Sequence, residues 1–462
     1  MLMYLIVQSW VSILIAVYGG ALAVFSRRPF VSFEYVTWSA NLCTAICGWA
    51  ADASSNRGTP LLLGLLALGP STMMLHLGRS ISILIVGRIL QGISAAIVWC
   101  VGLALVADTA DTSRIGESMS YVFMAMSVAA LAGPLLSGIV FDRAGYNAVF
   151  AMAYGLFGID IIMRLFMIEQ KEAVKWLVVE REVEKKIDRS SSVSNNANST
   201  PARHSSEMAI SERVQPAPSP DKTSQPQQSD AVRPPTRAPT SKTTTPAMVT
   251  LMKSKRLMCA LWATFATTTL ITQFDSVLPL FVRDTFGWSS TAAGLVFLPL
   301  VVPALFSPMV GSAIDRFGTR LFAVTGFVAI GCFEVLLRLV TRNTFGQKVL
   351  LCFLLTMIGI AFNLCTPPLM IEIIYVVEHK EQHDPGLFGS KSAYAQAYGL
   401  FNFACAAGFL VGPIWGGFVQ DKMGWGTMTW SMALLSFVTA VPVALWTGGS
   451  IGGRKKRNCA AK

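Results

Sequence analysis

Gly399-Leu400-Phe401-Asn402-Phe403-Ala404-Cys405-Ala406-Ala407-Gly408-Phe409-Leu410-Val411-Gly412-Pro413-Ile414-Trp415-Gly416-Gly417 is the stretch on which the fold turns. Its glycines follow a G-x8-G-x3-G-P-x2-G-G spacing inside an apolar run. The same spacing of small residues occurs much earlier, at Ser120, Ala129, Gly133-Pro134 and Ser137-Gly138. Two copies of one pattern, far apart in a chain, mark an internal repeat. In lipid, small residues let two helices approach closely, and proline removes a helical hydrogen bond and bends its helix. The chain therefore reads as two related helical bundles, each with a bent, closely packed helix at the matching place.

Composition agrees. Of 462 residues, 53% are hydrophobic and only 14% charged, and the mean hydropathy is +0.53, which excludes a soluble globular protein of this size. Apolar stretches long enough to cross a bilayer recur near 3–25, 60–78, 81–107, 117–140, 146–168, 257–282, 292–314, 320–341, 348–376, 393–419 and 427–447. A further stretch, 36–51, is short and contains Asn41. The expected fold is all-α, polytopic and multi-pass in a lipid bilayer.

The formal charge of +11 does not point to nucleic acid, because Lys and Arg gather in loops on one side of the predicted membrane. That bias, with the basic tail Arg454-Lys455-Lys456-Arg457, places the linker and C-terminus in the cytoplasm. The nine cysteines are scattered without metal-ligand spacing and read as small packing residues. No metal, cofactor or enzyme is expected: neither a Ser/His/Asp set nor clustered histidines are evident. The opening apolar run is too long for a cleavable signal peptide. Cys459-Ala460-Ala461-Lys462 departs from a prenylation box in its last residue.

A polar linker divides the chain. Residues 169–189 are charged and irregularly amphipathic, which suits a short helix on the inner membrane surface. Residues 190–247 are rich in Ser, Pro, Thr and Gln, bury no core and are expected to be disordered. The sequon at Asn198 reads as inert in a cytoplasmic loop. The expected domains are a first bundle over 1–168, a linker over 169–255, a six-helix bundle over 256–447 and a basic tail over 448–462.

A second motif pair supports the division. Gly48, Asp52 and Arg57-Gly58 follow an early span, and Gly311, Asp315-Arg316, Gly318 and Arg320 follow a later one. Such loops use Gly for a tight turn, an acid near a helix end and Arg to pair with it. Used as a ruler, the repeat leaves the first half short. Two full spans precede Asp315 after the linker, whereas one precedes Asp52. The reading is that the first helix of the bundle is absent and that 26–46 is an insertion. The alternative is that 36–51 is itself a span.

These motifs resemble those of the major facilitator superfamily, within its twelve-span drug:proton antiporter group and near fungal members related to vesicular amine transporters. The two Asp/Arg loops resemble the family's loop signature, and Gly87-Arg88-Ile89-Leu90-Gln91-Gly92 its fourth-helix signature. Gly133-Pro134, with Gly138, sits where the fifth-helix antiporter signature belongs, and Gly412-Pro413 is its eleventh-helix echo. The resemblance implies two pseudo-symmetric bundles, alternating access and a small-molecule substrate. It also implies that residues 3–25 match the second family helix. The first helix of amine-transporting relatives often carries a substrate-facing acid, for which this chain has no counterpart.

An ionisable group inside a span costs about 2.5–3.5 kcal/mol on insertion scales and is a functional candidate by default. Arg88 shares a helix face with Gln91 and Gly92; the resemblance ties it to proton coupling, and the structural alternative is that it caps carbonyls between helices. Asp275 is followed at i+4 by Pro279, so its carbonyl lacks a helical partner, which suits a proton or a cationic amine; the alternative is an acid at a wet helix end. Glu372 follows Pro367-Pro368, which free the carbonyls of Asn363 and Leu364; Asn363 and Glu372 share a site only if the helix kinks there, and the alternative for Glu372 is a pairing with an inner loop. Glu334/Arg338 and Asp160/Arg164 read as self-neutralising i,i+4 pairs. Asp108 and Arg114 are expected to join Asp52, Arg57, Asp315, Arg316 and Arg320 in a charge latch at the inner loops. Trp99, Phe274, Phe281, Asn402 and Phe403 are weaker candidates for a cavity wall. Gly133, Pro134, Gly138, Gly399, Gly408, Gly412, Pro413, Gly416 and Gly417 are expected to form the close-packed contact between halves.

The function read from this is proton-coupled export of a small amphipathic or cationic organic molecule by a monomer, in the plasma membrane or a vacuolar or vesicular membrane. A non-transporting sensor or inactive truncated relative, and a facilitator without proton coupling, stand as alternatives.

Overall fold

The computed structural model describes residue 52 and residues 58–110, 112–165, 247–384, 387–388 and 393–448, all within one compact unit. The readings for 3–25, for 26–46, for Arg57, for most of the linker and for the basic tail lie outside the described residues.

Among the described residues the chain is all-helical. Helix α1 (Gly58–Leu77) turns through Gly78 into α2 (Ile81–Thr109), and the two pack side by side. Ser94 Oγ donates to the Gly64 carbonyl at 2.6 Å, which the missing side chain of Gly64 permits. Helix α3 (Ile115–Leu165) is broken at Gly145 into two helical stretches. Beyond the linker come α4 (Ala247–Met252) and α5 (Lys255–Phe286), the latter capped by Ser254 and closed by Gly287.

Pro299, Pro303 and Pro308 then split one crossing into α6 (Ser290–Leu295), α7 (Leu298–Val301), a 3-10 turn (Val302–Phe306) and α8 (Ser307–Phe317), because each proline removes an N–H from the ladder. Helices α9 (Thr319–Leu337), α10 (Phe345–His383), α11 (Tyr394–Met423) and α12 (Trp425–Trp446) complete the bundle. Gly318 (φ 88°) joins α8 to α9 and Gly424 (φ 81°) joins α11 to α12, both in a backbone region that L side chains avoid.

Nine helical stretches among the described residues are long and apolar enough to cross a membrane, and Ile115–Ala130 is a shorter apolar helix. They coincide with ten of the eleven expected spans; the eleventh, 3–25, is outside the described residues. Outward faces carry large apolar side chains such as Leu63, Met309, Phe418 and Trp430, as an environment of acyl chains requires. The protein is an integral, multi-pass membrane protein.

The core is divided. One apolar cluster lies within the part after the linker, centred on Phe274, Phe327 and Leu355. A second joins both parts of the chain, bringing Leu103, Ile115 and Met119 against Leu257, Ile374 and Tyr398.

Candidate transport site and latch

The joining cluster is edged by two carboxylates from the paired loops. Asp315, near the end of α8, accepts from the backbone N–H groups of Gly116 (2.7 Å) and Glu117 (3.1 Å) at the start of α3. Asp52 accepts from Ala395 (3.2 Å) and Gln396 (2.9 Å) at the start of α11. The first N–H groups of a helix have no partner in their own helix and carry the positive end of its dipole, so an anion is favourable there. Each loop acid thus caps a helix from the other part of the chain. The approach is close: a side chain at Gly311 would meet Ser120 Oγ and the Gly116 carbonyl.

The basic residues expected in this latch are spread out. Arg114 is exposed and lies 3.7 Å from Glu117, and Arg316 is exposed. Arg320 donates to the Thr447 carbonyl at 2.7 Å and so ties α9 to the end of α12. Asp108 is half-buried at the end of α2.

The glycine stripe of α11 is placed differently from the expectation. Gly408 lies against Phe265, Thr268 and Thr269, Gly412 against Thr269, Thr272 and Gln273, and Gly416 against Gln273 and Val277. All of these belong to α5, in the same half of the chain. Thr272 Oγ1 donates to the Gly408 carbonyl at 3.3 Å and Ser276 Oγ to that of Pro413 at 3.4 Å. The contact with the other half is made earlier on α11, near buried Gly399, where Tyr398 Oη approaches Met119 Sδ (3.8 Å) and Asn402 Nδ2 approaches Cys100 Sγ (3.2 Å). Period and smallness identify a close-packing face; they do not identify its partner. Gly417 has open space around it, and Gly133 is buried in α3; the surroundings of Pro134 and Gly138 lie outside the described residues.

The ionisable groups inside the spans fall into distinct settings. Arg88 is half-buried on α2, and its Nη1 donates to Gln91 Oε1 at 3.0 Å, joining two expected site residues. Asp275 is exposed although α5 is otherwise mostly buried, and Pro279 follows within the same helix. Glu372, expected as a candidate coupling acid or else as the partner of an inner loop, is engaged in a pair. It is fully enclosed, paired with Arg256 at the start of α5, and accepts from Thr319 Oγ1 (2.9 Å) and from the Gly448 N–H (2.8 Å). It clasps three helix ends of its own half.

Asn363 is buried and donates to the Pro303 carbonyl at 3.0 Å, and it shares no partner with Glu372 because α10 runs on through Pro367-Pro368. Glu334 does not pair with Arg338, which is exposed; it accepts from Gln273 Nε2 at 2.7 Å. Asp160 is buried on α3. Phe274 and Phe281 are core residues, Phe281 stacking on Trp425 at 3.7 Å, whereas Trp99 is half-buried and Phe403 exposed. The residues missed from sequence, Arg256, Gln273 and Thr319, were signalled only by being polar within or beside an apolar span.

The Major Facilitator Superfamily model matches residues 35–383 and, overlapping, 274–458. The chain belongs to the Major Facilitator Superfamily. It is 31% identical over 446 residues to the MFS-type transporter ppzB of Metarhizium rileyi (strain RCEF 4871), covering 96% of this chain and 87% of that protein. Against the uncharacterized MFS-type transporter C18.02 of Schizosaccharomyces pombe it is 27% identical over 432 residues, 93% of this chain and 85% of the other. The synaptic vesicular amine transporter of Bos taurus is 20% identical over 381 residues, 82% of this chain and 58% of that protein. Membership makes this a membrane transport protein for small molecules rather than an enzyme. In this superfamily member the loop acids hold the two halves of the chain together at one end.

Proposed function

We propose that the protein exports a small amphipathic or cationic organic molecule in exchange for protons, by alternating access between the two halves. The observation that carries this reading is Asp275: an exposed acid within a membrane-crossing helix that is otherwise largely enclosed. An acid with open surface inside a span is a candidate to exchange a proton for a cation, whereas Glu372 is already occupied by Arg256. Arg88, with Gln91, stands on α2 as the fixed positive charge of the opposing half. The similarity to a vesicular amine transporter favours an amine as the cation.

The bundles over 1–168 and 256–447, the cytoplasmic linker 169–255 and the cytoplasmic tail 448–462 belong to the same proposal, as does action as a monomer in the plasma membrane or a vacuolar or vesicular membrane. With the linker on the cytoplasmic side, the Asp52 and Asp315 caps close the inner end, and opening inward requires both to break. The test is uptake of a labelled lipophilic amine into proteoliposomes under an imposed pH gradient. Uptake that follows the gradient and collapses with a protonophore is expected. Uptake indifferent to the gradient would make the protein a facilitator, and absence of flux would make it a sensor.

A further inference from the structure

The contact between Gln273 on α5 and Glu334 on α9 is incomplete in an informative way. Gln273 Nε2 donates to Glu334 Oε1 at 2.7 Å. Both residues are essentially without solvent exposure, at 1% and 0%. The two remaining oxygens of the pair, Gln273 Oε1 and Glu334 Oε2, are both buried without a partner. Each is an acceptor. An ionised Glu334 would leave a charge and two acceptors unsatisfied in the interior, at a cost of several kcal/mol. A carboxylic acid and a primary amide, by contrast, can form a closed ring of two hydrogen bonds, with one N–H···O and one O–H···O. The first of these bonds is present, and the second needs a single proton between the two orphan oxygens.

Among the described residues no basic group bonds to the pair. Helix α5 presents Gln273 to Glu334; Asp275, two residues on, is itself an acid and exposed, and Arg283 and Asp284 are exposed farther along, while the charged residues of α11, Asp421 and Lys422, pair with each other at its exposed end. Helix α12 contains no ionisable side chain. On α10 the nearest basic residue at this end is Lys348, whose Nζ sits 5.7 Å from the centre of the Phe286 ring. The acids and bases at the other end of α10, Glu372 and Lys380 among them, are bound to Arg256 and to the Thr250 carbonyl. Asp315 and Arg316 of α8 lie at that same far end. On α9 itself Arg338 is exposed and lies against Gly426.

We infer that Glu334 and Gln273 form a proton-binding site, in which one proton closes an acid–amide ring that clasps α5 to α9. The site is separate from Asp275 and stands whether or not Asp275 couples transport. The site also touches a third helix, since Gln273 lies against Gly412 and Gly416 of α11.

Infrared difference spectroscopy of the full chain in lipid, between neutral and alkaline pH, tests this. The expected signal is a deuterium-sensitive carbonyl band of the Glu334 carboxylic acid at neutral pH, separate from any band that Asp275 contributes. Glu334→Gln removes it, with the fold retained because two amides form the same ring. Gln273→Leu keeps the band but shifts it to the position of an unbonded acid, and Asp275→Asn leaves it in place. Should Glu334→Gln leave the spectrum unchanged, or should Gln273→Leu fail to shift the band, the site is wrong. A Glu334-dependent stabilisation by sodium without a carboxylic acid band would replace the proton with a metal cation and also overturn it.

Discussion

Asp52 and Asp315 perform the same task from the two halves of the chain: each spreads its two carboxylate oxygens over two consecutive backbone N–H groups at the start of a helix from the other half. Asp315 holds α3 through Gly116 and Glu117, and Asp52 holds α11 through Ala395 and Gln396. The repeat in sequence becomes reciprocity in space, with one anchor contributed by each half.

Hydrogen exchange separates the two anchors. A hydrogen bond to a charged partner contributes about 1.5–3 kcal/mol, so losing one raises local exchange on the order of tenfold or more. Asp315→Asn is expected to accelerate exchange at Gly116 and Glu117 more than at Ala395 and Gln396. Asp52→Asn is expected to do the reverse. Equal acceleration at both helix starts in either variant would mean that the caps are not local.

The α11 glycines make a graded prediction. A side chain at Gly412 would come within 2.2 Å of Thr272 Oγ1 and 2.7 Å of the Thr269 carbonyl, while Gly417 has nothing within 4 Å. Overpacking of this kind costs about 1–3 kcal/mol. Gly412→Ala should lower the thermal midpoint in detergent, and Gly417→Ala should leave it near the wild-type value. A Gly412→Ala protein as stable as wild type would refute the close approach of α5 and α11.

Glu372 and Arg256 are expected to behave as a structural pair. Removing one partner of a buried ion pair typically costs about 3–5 kcal/mol because the other charge is stranded. Arg256→Gln should destabilise strongly, and the double variant Arg256→Gln with Glu372→Gln should recover part of the loss. Thermal unfolding of the three variants measures this coupling; additive losses would dissociate the pair.

Much of this architecture was legible in the chain. Hydropathy located ten of the helices that the structure describes, most of them to within a few residues, because twenty apolar residues in a row have few other uses. The paired Asp loops were legible as helix-end acids, since the residue types themselves state the chemistry. What the sequence withheld was partnership. A stripe at Gly408, Gly412 and Gly416 names a face but not the helix it meets, and that helix proved to be α5. The i,i+4 spacing of Glu334 and Arg338 suggested an ion pair, yet Arg338 lies at an exposed position and Glu334 meets Gln273, sixty-one residues away. In sequence Glu372 stands beside its own prolines, while its partners Arg256, Thr319 and Gly448 come from three other places in the fold.

The central claim is that Asp275 exchanges protons for a cationic substrate, and proton movement measured alongside substrate counterflow tests it most directly. Wild-type protein in liposomes loaded with a pH dye should move protons when a lipophilic amine is added outside, and should also exchange labelled for unlabelled amine. Asp275→Asn should retain amine exchange and lose the proton signal. An Asp275→Asn protein that exchanges amine and still moves protons as wild type does would contradict the assignment.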